Sequence, residues 1–353
     1  MTRPCVAQPP PSVKRTAALF LVALCLSACD EPPPPSAGLA GERPRFQDPI
    51  WNDGNAEVAQ YQVMERRYGT MREGHATLIA VTETFDALRL VKADLGTAHP
   101  LDVIKLNHVL TTPTGVYTYR QMASVFLDRT TARPLKLATS SQEWCGITSK
   151  QMVLRGPAAT LHTFSYFGNE GDRAHPVLVD ARTVLYDALP LWLRTLDLTR
   201  PGARRVQLVP QQMSSHAPAP RVAQATITVG PSDDALRVPA GAFEAVPVTV
   251  QHDGGTDIFH FDAEPPHTLV RWDRADGGHY ALEWVRRAPY WRMSDDGEVL
   301  GPEDASGGAH GTEGDRTEGD GADGRLREGD GEATRRSPTE PGVSPDPGAS
   351  GAD

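Results

Sequence analysis

The pattern of apolar and polar positions reads as strands over most of the chain. Residues 76–82 are β-branched and apolar, as in a central strand. Residues 102–107 alternate over part of their length, and 111–115 (Thr-Thr-Pro-Thr-Gly) carry turn chemistry. A long strand is predicted over 116–127, with Tyr117, Tyr119, Met122 and Phe126 as its large residues. Segments 135–139, 142–154 and 160–167 follow at hairpin spacing. One stretch changes period: in 179–198, Leu185, Leu189, Trp192 or Leu193, and Leu196 recur at offsets of three and four, which predicts a helix. Asp180 is placed to cap it, and Pro190 should kink or split it. A second β series covers 225–229, 243–251, 257–261, 268–272 and 280–286, with hairpin turns at Gly254-Gly255 and Asp276-Gly277-Gly278. The expected fold is mainly β: a curved antiparallel sheet or half-barrel with one helical region packed on its concave face.

The N-terminus has a different pattern. Arg3, Lys14 and Arg15 precede an apolar run over 17–26, a charged region and a hydrophobic region followed by small residues. Ten apolar residues fall short of the roughly 20 that a membrane span needs. Leu26-Ser27-Ala28-Cys29 resembles a bacterial lipobox, which implies lipidation of the Cys29 thiol and cleavage just before it. On this reading 1–28 is a signal peptide. Residues 29–50, with Pro32 to Pro35, Pro44 and Pro49, form a lipid-anchored stiff linker. Residues 51–293 are the globular domain, and 294–353 are a disordered, acidic, Gly-rich tail.

Charge follows the same division. The 353-residue chain has a net charge of −10. From residue 301 onward there are 13 acids and 5 arginines, a balance of −8, so everything before it carries −2. That tail has no Ile, Phe, Tyr or Trp and cannot bury enough surface to offset chain entropy. The nearly neutral remainder offers no basic stripe, which excludes nucleic acid as an expected partner. Of the four cysteines, Cys5 and Cys25 leave with the signal peptide and Cys29 is lipidated, so Cys145 stands alone without a disulfide partner. Such a thiol is expected to be buried and inert.

Candidate chemistry is sparse. Glu143-Trp144-Cys145-Gly146 places a thiol beside a carboxylate, but a neighbouring Glu raises a thiol pKa where a nucleophile needs a base or a cation. If the segment is a strand, Glu143 and Cys145 share one face and Trp144 takes the other. Arg66, Arg67 and Arg72 lie around Tyr68-Gly69, either a surface charge cluster at a turn or an anion site. His252, Asp257 and His260 are placed to meet across a hairpin, without zinc-helix spacing. There is no Gly-x-Ser-x-Gly, P-loop or dinucleotide fingerprint, and no cofactor or metal is expected.

Several segments together carry a resemblance. They are Trp51-Asn52-Asp53-Gly54-Asn55-Ala56-Glu57, Arg67-Tyr68-Gly69, Glu73-Gly74-His75-Ala76, Leu78 to Glu83, Val91-Lys92-Ala93-Asp94, Lys105-Leu106-Asn107, Gly115 to Tyr119 and Gln142 to Gly146. Asp262 to His267 and Tyr290-Trp291 extend it more loosely. The chain resembles an uncharacterised family of bacterial lipoproteins of Bacteroidetes type. Members are often labelled septum-formation inhibitor Maf, although Maf pyrophosphatases open with a Ser-x-Ser-x-x-Arg loop that is missing here. The resemblance implies a cell-envelope lipoprotein facing the periplasm and supplies no catalytic residue. The order of elements is also similar to the Lol carriers, where a curved sheet wraps a helix and holds an acyl chain. That similarity is one of fold only.

Two functional classes follow. One is a non-enzymatic module, tethered to a membrane through Cys29, that binds a lipid or an envelope protein. Tyr117, Tyr119, Phe126, Phe164, Tyr166, Trp192, Phe259, Phe261 and Trp272 would then fill a closed core or line an acyl cavity, with Arg66, Arg67 or Arg72 at its rim. The other is a hydrolase or thiol enzyme using Glu143, Cys145 or the arginine cluster.

Overall fold

A computed structural model describes residues 46, 48–94 and 96–302. The segment read as a signal peptide, Cys29, most of the segment read as a linker and nearly all of that read as a tail lie outside the described residues. Among the described residues, seventeen strands form one open sheet. The first half is a run of hairpins: β1 (Ala56–Arg67), β2 (Thr70–Asp86), β4 (Pro100–Thr114), β5 (Tyr117–Asp128), β6 (Pro134–Glu143), β7 (Gly146–Arg155), β8 (Ala158–Phe164) and β9 (Asp172–Leu178). Each pairs antiparallel with the next. A two-residue strand, β3 (Val91–Lys92), flanks β2. On the other side of β1 come β17 (His279–Ala288), β16 (Leu269–Asp273), β15 (Gly255–Asp262), β14 (Gly241–His252), β12 (Ala223–Val229) and β11 (Gly202–Val209). β13 (Asp233–Val238) adds to β14. β10 (Thr183–Leu185) ends the sheet and is parallel to β11, an exception to the expected antiparallel pattern.

Alternation builds the core. Along β5, Tyr119, Gln121, Ala123, Val125 and Leu127 are buried and the residues between them are not. Leu137, Met152, Leu161, Ile227, Val248 and Phe259 come from strands across the whole sheet and join one cluster. Phe261, Phe259, Trp272 and Tyr280 stack in sequence, with centroids 6.4, 4.8 and 4.8 Å apart, and Tyr61 meets Tyr280 edge-on. The small cavity beside Tyr61, Leu78 and Leu191 measures about 10 Å³ and has no room for an acyl chain. Of the rings proposed to line an interior, Tyr119, Trp192, Phe259, Phe261 and Trp272 are buried, whereas Phe164 and Tyr166 are exposed.

The expected helix over 179–198 is corrected. Thr183–Leu185 is a strand, Tyr186–Ala188 and Leu193–Thr195 are 3-10 turns, and only Leu189–Trp192 (α1) is α-helical. The reason is burial: every residue from 183 to 193 is buried, so no amphipathic face exists for a long helix to present. Pro190 sits in the first turn of α1, where its missing N–H costs nothing, rather than kinking a helix. Asp180 caps no helix. Its carboxylate accepts from the Arg182 N–H and the Thr183 hydroxyl at a turn into β10. The expected turn at 111–115 begins later, because β4 runs through Thr114.

Polar anchors fix this segment and the stretch 212–216 against the sheet. Arg194 holds the Glu57 carboxylate through two bonds of 2.6 and 2.9 Å and also donates to the Pro266 carbonyl, nearly dry on both sides. Lys150, buried on β7, donates to the Gln212 carbonyl, the Ser214 hydroxyl and the His216 carbonyl at 2.7, 3.0 and 2.6 Å. Burial pulls this ammonium down to about 8. Asp187 accepts from the Gln212 and Met213 N–H groups on the same segment, and burial pushes its carboxyl up.

Candidate functional site

The strand directions place the β1–β2, β4–β5, β6–β7 and β8–β9 turns at one end of the sheet. The stretch 61–73, read from sequence as a charge cluster around a turn, is a hairpin. Tyr68 and Gly69 form its two-residue loop, both with positive φ (51° and 74°), as a primed turn requires. The next turns contribute Val116 and Tyr117, then Trp144 and Cys145, then Tyr166. Exposed apolar side chains collect here: Tyr68 (66%), Val116 (81%), Trp144 (77%), Ile147, Phe164 and Tyr166 (60%).

These side chains are linked. The Tyr68 hydroxyl lies 2.9 Å from that of Tyr117 and 2.5 Å from that of Tyr119. The rings of Tyr117 and Trp144 are 6.2 Å apart at 33°. Tyr166 lies over Gly146, where a Cβ would come within 2.4 Å of its ring. Gly146 therefore leaves the space that the Tyr166 ring occupies. Below the row, Arg67 packs over Tyr119 at 4.6 Å, pairs with Glu65 at 2.9 Å and hydrogen-bonds Gln121. Glu65 also accepts from the Thr112 hydroxyl.

The site residues read from sequence are partly gathered here. Glu143, Trp144 and Cys145 lie at the β6–β7 turn, and Arg67 joins them through Tyr119 and Tyr68. The strand geometry expected for Glu143 and Cys145 is corrected. The strand ends at Glu143, whose carboxylate turns back to accept the Cys145 N–H at 2.6 Å. Cys145 is exposed rather than buried. Its thiol is pushed up by the Glu143 carboxylate beside it, the direction expected from sequence and the opposite of an activated nucleophile. The arginines do not converge on one anion. Arg66 and Arg67 are consecutive in β1 and face opposite sides. Arg66 donates to the carbonyls of Asp276 and Gly69, and Arg67 is held as above. Arg72 pairs in register with Glu65, and its Nε is buried without a hydrogen-bond partner.

A groove of about 310 Å³ runs beside the row, lined by Val116, Tyr117, Thr118, Arg120, Gln142, Glu143, Trp144 and Ile147. Arg120 and Gln142 are paired in register across β5 and β6, on the face opposite the core. Sequence reading missed both. Their position at polar points in the alternation, in the parts of β5 and β6 nearest the turns, is the trace they leave in the sequence.

A second cleft of about 320 Å³ lies between Tyr186, Gln211, Arg221, His252, Asp257 and Arg274. His252 and Asp257 do meet, at 2.8 Å, while His260 pairs instead with Asp273 at 3.3 Å. Both ring nitrogens of His252 are engaged: Nε2 with Asp257 and Nδ1 as acceptor from the Gly254 N–H at 3.1 Å. No nitrogen is left to move a proton for a substrate, so the pair braces the β14–β15 hairpin. Arg274 is spent on Asp276 and Gln211 over the face of Trp272. No group of three or more metal-ligating side chains exists among the described residues, and no described helix is long and apolar enough to cross a membrane.

No family model matches the chain, and no curated protein matches it. A solved structure, a beta-barrel-like protein of domain of unknown function DUF1849 from Brucella abortus, is similar at 11% identity with a TM-score of 0.42. The match covers 66% of this chain and 98% of that one.

Proposed function

We propose that this chain is a cell-envelope lipoprotein, tethered to a membrane through Cys29 and facing the periplasm. It works as a non-enzymatic binding module whose contact surface is the aromatic end of the sheet. The observation that carries this reading is the row of exposed rings on adjacent hairpin tips. A contiguous exposed apolar patch on a folded domain marks an interaction site, and Trp and Tyr are favoured at such sites because one end is apolar and the other polar. The packed interior favours an external contact over an enclosed acyl chain. The raised Cys145 thiol and the fully engaged His252 disfavour the thiol-enzyme and hydrolase alternative.

The test has two parts. Radiolabelled palmitate incorporates into the wild type and not into Cys29→Ala. A photo-crosslinking amino acid at position 144 captures an envelope component in living cells, whereas one at Leu88, exposed at the opposite end of the sheet, captures none. Labelling that persists in Cys29→Ala removes the tether, and equal or absent capture at both positions removes the contact surface.

A further inference from the structure

We infer that the groove beside Tyr117 and Trp144 binds a saccharide chain, with pyranose rings stacked on the aromatic row. This inference rests on the binding-module reading and names its ligand class. Sugar rings have one apolar C–H face and a rim of hydroxyls. They therefore need a flat aromatic surface open to solvent and, next to it, polar side chains with hydrogen bonds to spare. The groove supplies both. Tyr117 and Trp144 form a shelf of two rings tilted by 33°. Arg120 and Gln142 line the same groove with no hydrogen bond or ion pair to another side chain. Glu143 accepts the Cys145 N–H through Oε2, and a carboxylate has acceptor positions to spare for a ligand hydroxyl. Together they offer donors and acceptors side by side, as a polyhydroxylated ligand requires.

Charge and topology weigh against the other classes of ligand. One arginine and one glutamate leave the groove neutral, which suits neither a phosphate backbone nor an anionic lipid surface. Pressing it into hydrocarbon would strip water from both charges. β5, β6 and β7 are paired on both sides, so an extended peptide finds no backbone edge to join. The length of the row suits an oligomer over a single sugar. Four adjacent hairpin tips each contribute one ring, Tyr68, Tyr117, Trp144 and Tyr166, and Tyr117 and Trp144 lie 6.2 Å apart, so a saccharide chain that crosses the tips meets more than one ring.

The test uses the full chain in detergent, on an array of hexose, amino-sugar and peptidoglycan-derived oligosaccharides. The expected result is binding to a subset of them, weakened at least tenfold in Trp144→Ala and in Arg120→Ala. Trp291→Ala, an exposed Trp outside the row, should bind as the wild type does. Gly146→Ala, which must push Tyr166 aside, weakens the longer oligosaccharides more than the short ones. All four variants should melt with the wild type, which separates lost binding from lost fold. A silent array, or binding that Trp144→Ala leaves intact, overturns the saccharide assignment. If position 144 still captures a protein in cells, the binding-module reading survives that failure; if it captures nothing, both fall.

Discussion

Two sets of aromatic side chains, built on the same sheet, lead opposite lives. Phe259, Phe261, Trp272 and Tyr280 point to the concave side near mid-sheet, stack on one another and are 2% exposed or less. Tyr68, Trp144 and Tyr166 sit at the tips of turns, more than half exposed; Tyr68 and Trp144 touch Tyr117, and Tyr166 lies over Gly146. Residue type does not separate the sets. What separates them is distance from the strand end: inside a paired strand, alternation commits a ring to one face, while at a turn nothing commits it. The first set should govern stability and the second recognition, and each prediction below sets one against the other.

The largest effect is expected in the buried stack. Trp272→Ala should cost about 3–5 kcal/mol in denaturant unfolding through the cavity it leaves. Saccharide binding by the fraction that stays folded should be unchanged. Next is the buried ion pair of Glu57 and Arg194. Arg194→Met strands the Glu57 carboxylate at 7% side-chain exposure and should cost about 3 kcal/mol, part of which returns in the double variant Glu57→Gln/Arg194→Met. A recovery of nothing would mean that the bonds to Pro266 carry the contact instead.

A pH experiment reads the stack from within. His108 packs edge-on against Tyr280 at 5.5 Å. Burial, helped by the charge of Arg274, pulls its imidazole down to about 3. The unfolded chain then binds the extra proton between pH 6.5 and 3, so the stability contributed by neutral His108 falls as pH drops through that window. From pH 7 to 5 the wild type should lose about 2 kcal/mol more than His108→Phe. Equal losses would place water at the imidazole. The smallest effect belongs to the exposed set: Trp144→Ala should move stability by no more than about 0.5 kcal/mol. A larger loss would make the row part of the fold and blur the division between the two sets.

Much of this was legible in the sequence, for a physical reason. Strands with one dry and one wet face leave a period of two, which is why 116–127 and 280–286 were found almost to the residue. The segment over 183–195 misled because it is apolar all round, and its leucine spacing imitates a helix that only four residues adopt. β1 escaped because its inner face ends in Glu65 and Arg67, charges that satisfy one another below the aromatic row. Glu143, Trp144 and Cys145 were conspicuous as a group. Their arrangement depended on where β6 stops, a boundary that the apolar pattern does not mark. Arg120 and Gln142 become neighbours only through pairing in register, which no local pattern contains.

The chain enters the fold far from the aromatic row. The Phe46 carbonyl is held by Arg129 at 2.9 Å, just past the end of β5 opposite Tyr117. The 12 residues of β5, each rising roughly 3.3 Å, put about 40 Å between that entry point and Tyr117. If the chain is tethered through the segment before Phe46, as proposed above, the entry end would act as a mooring and the row as a probe held at the far end of the domain, facing away from whatever surface holds it.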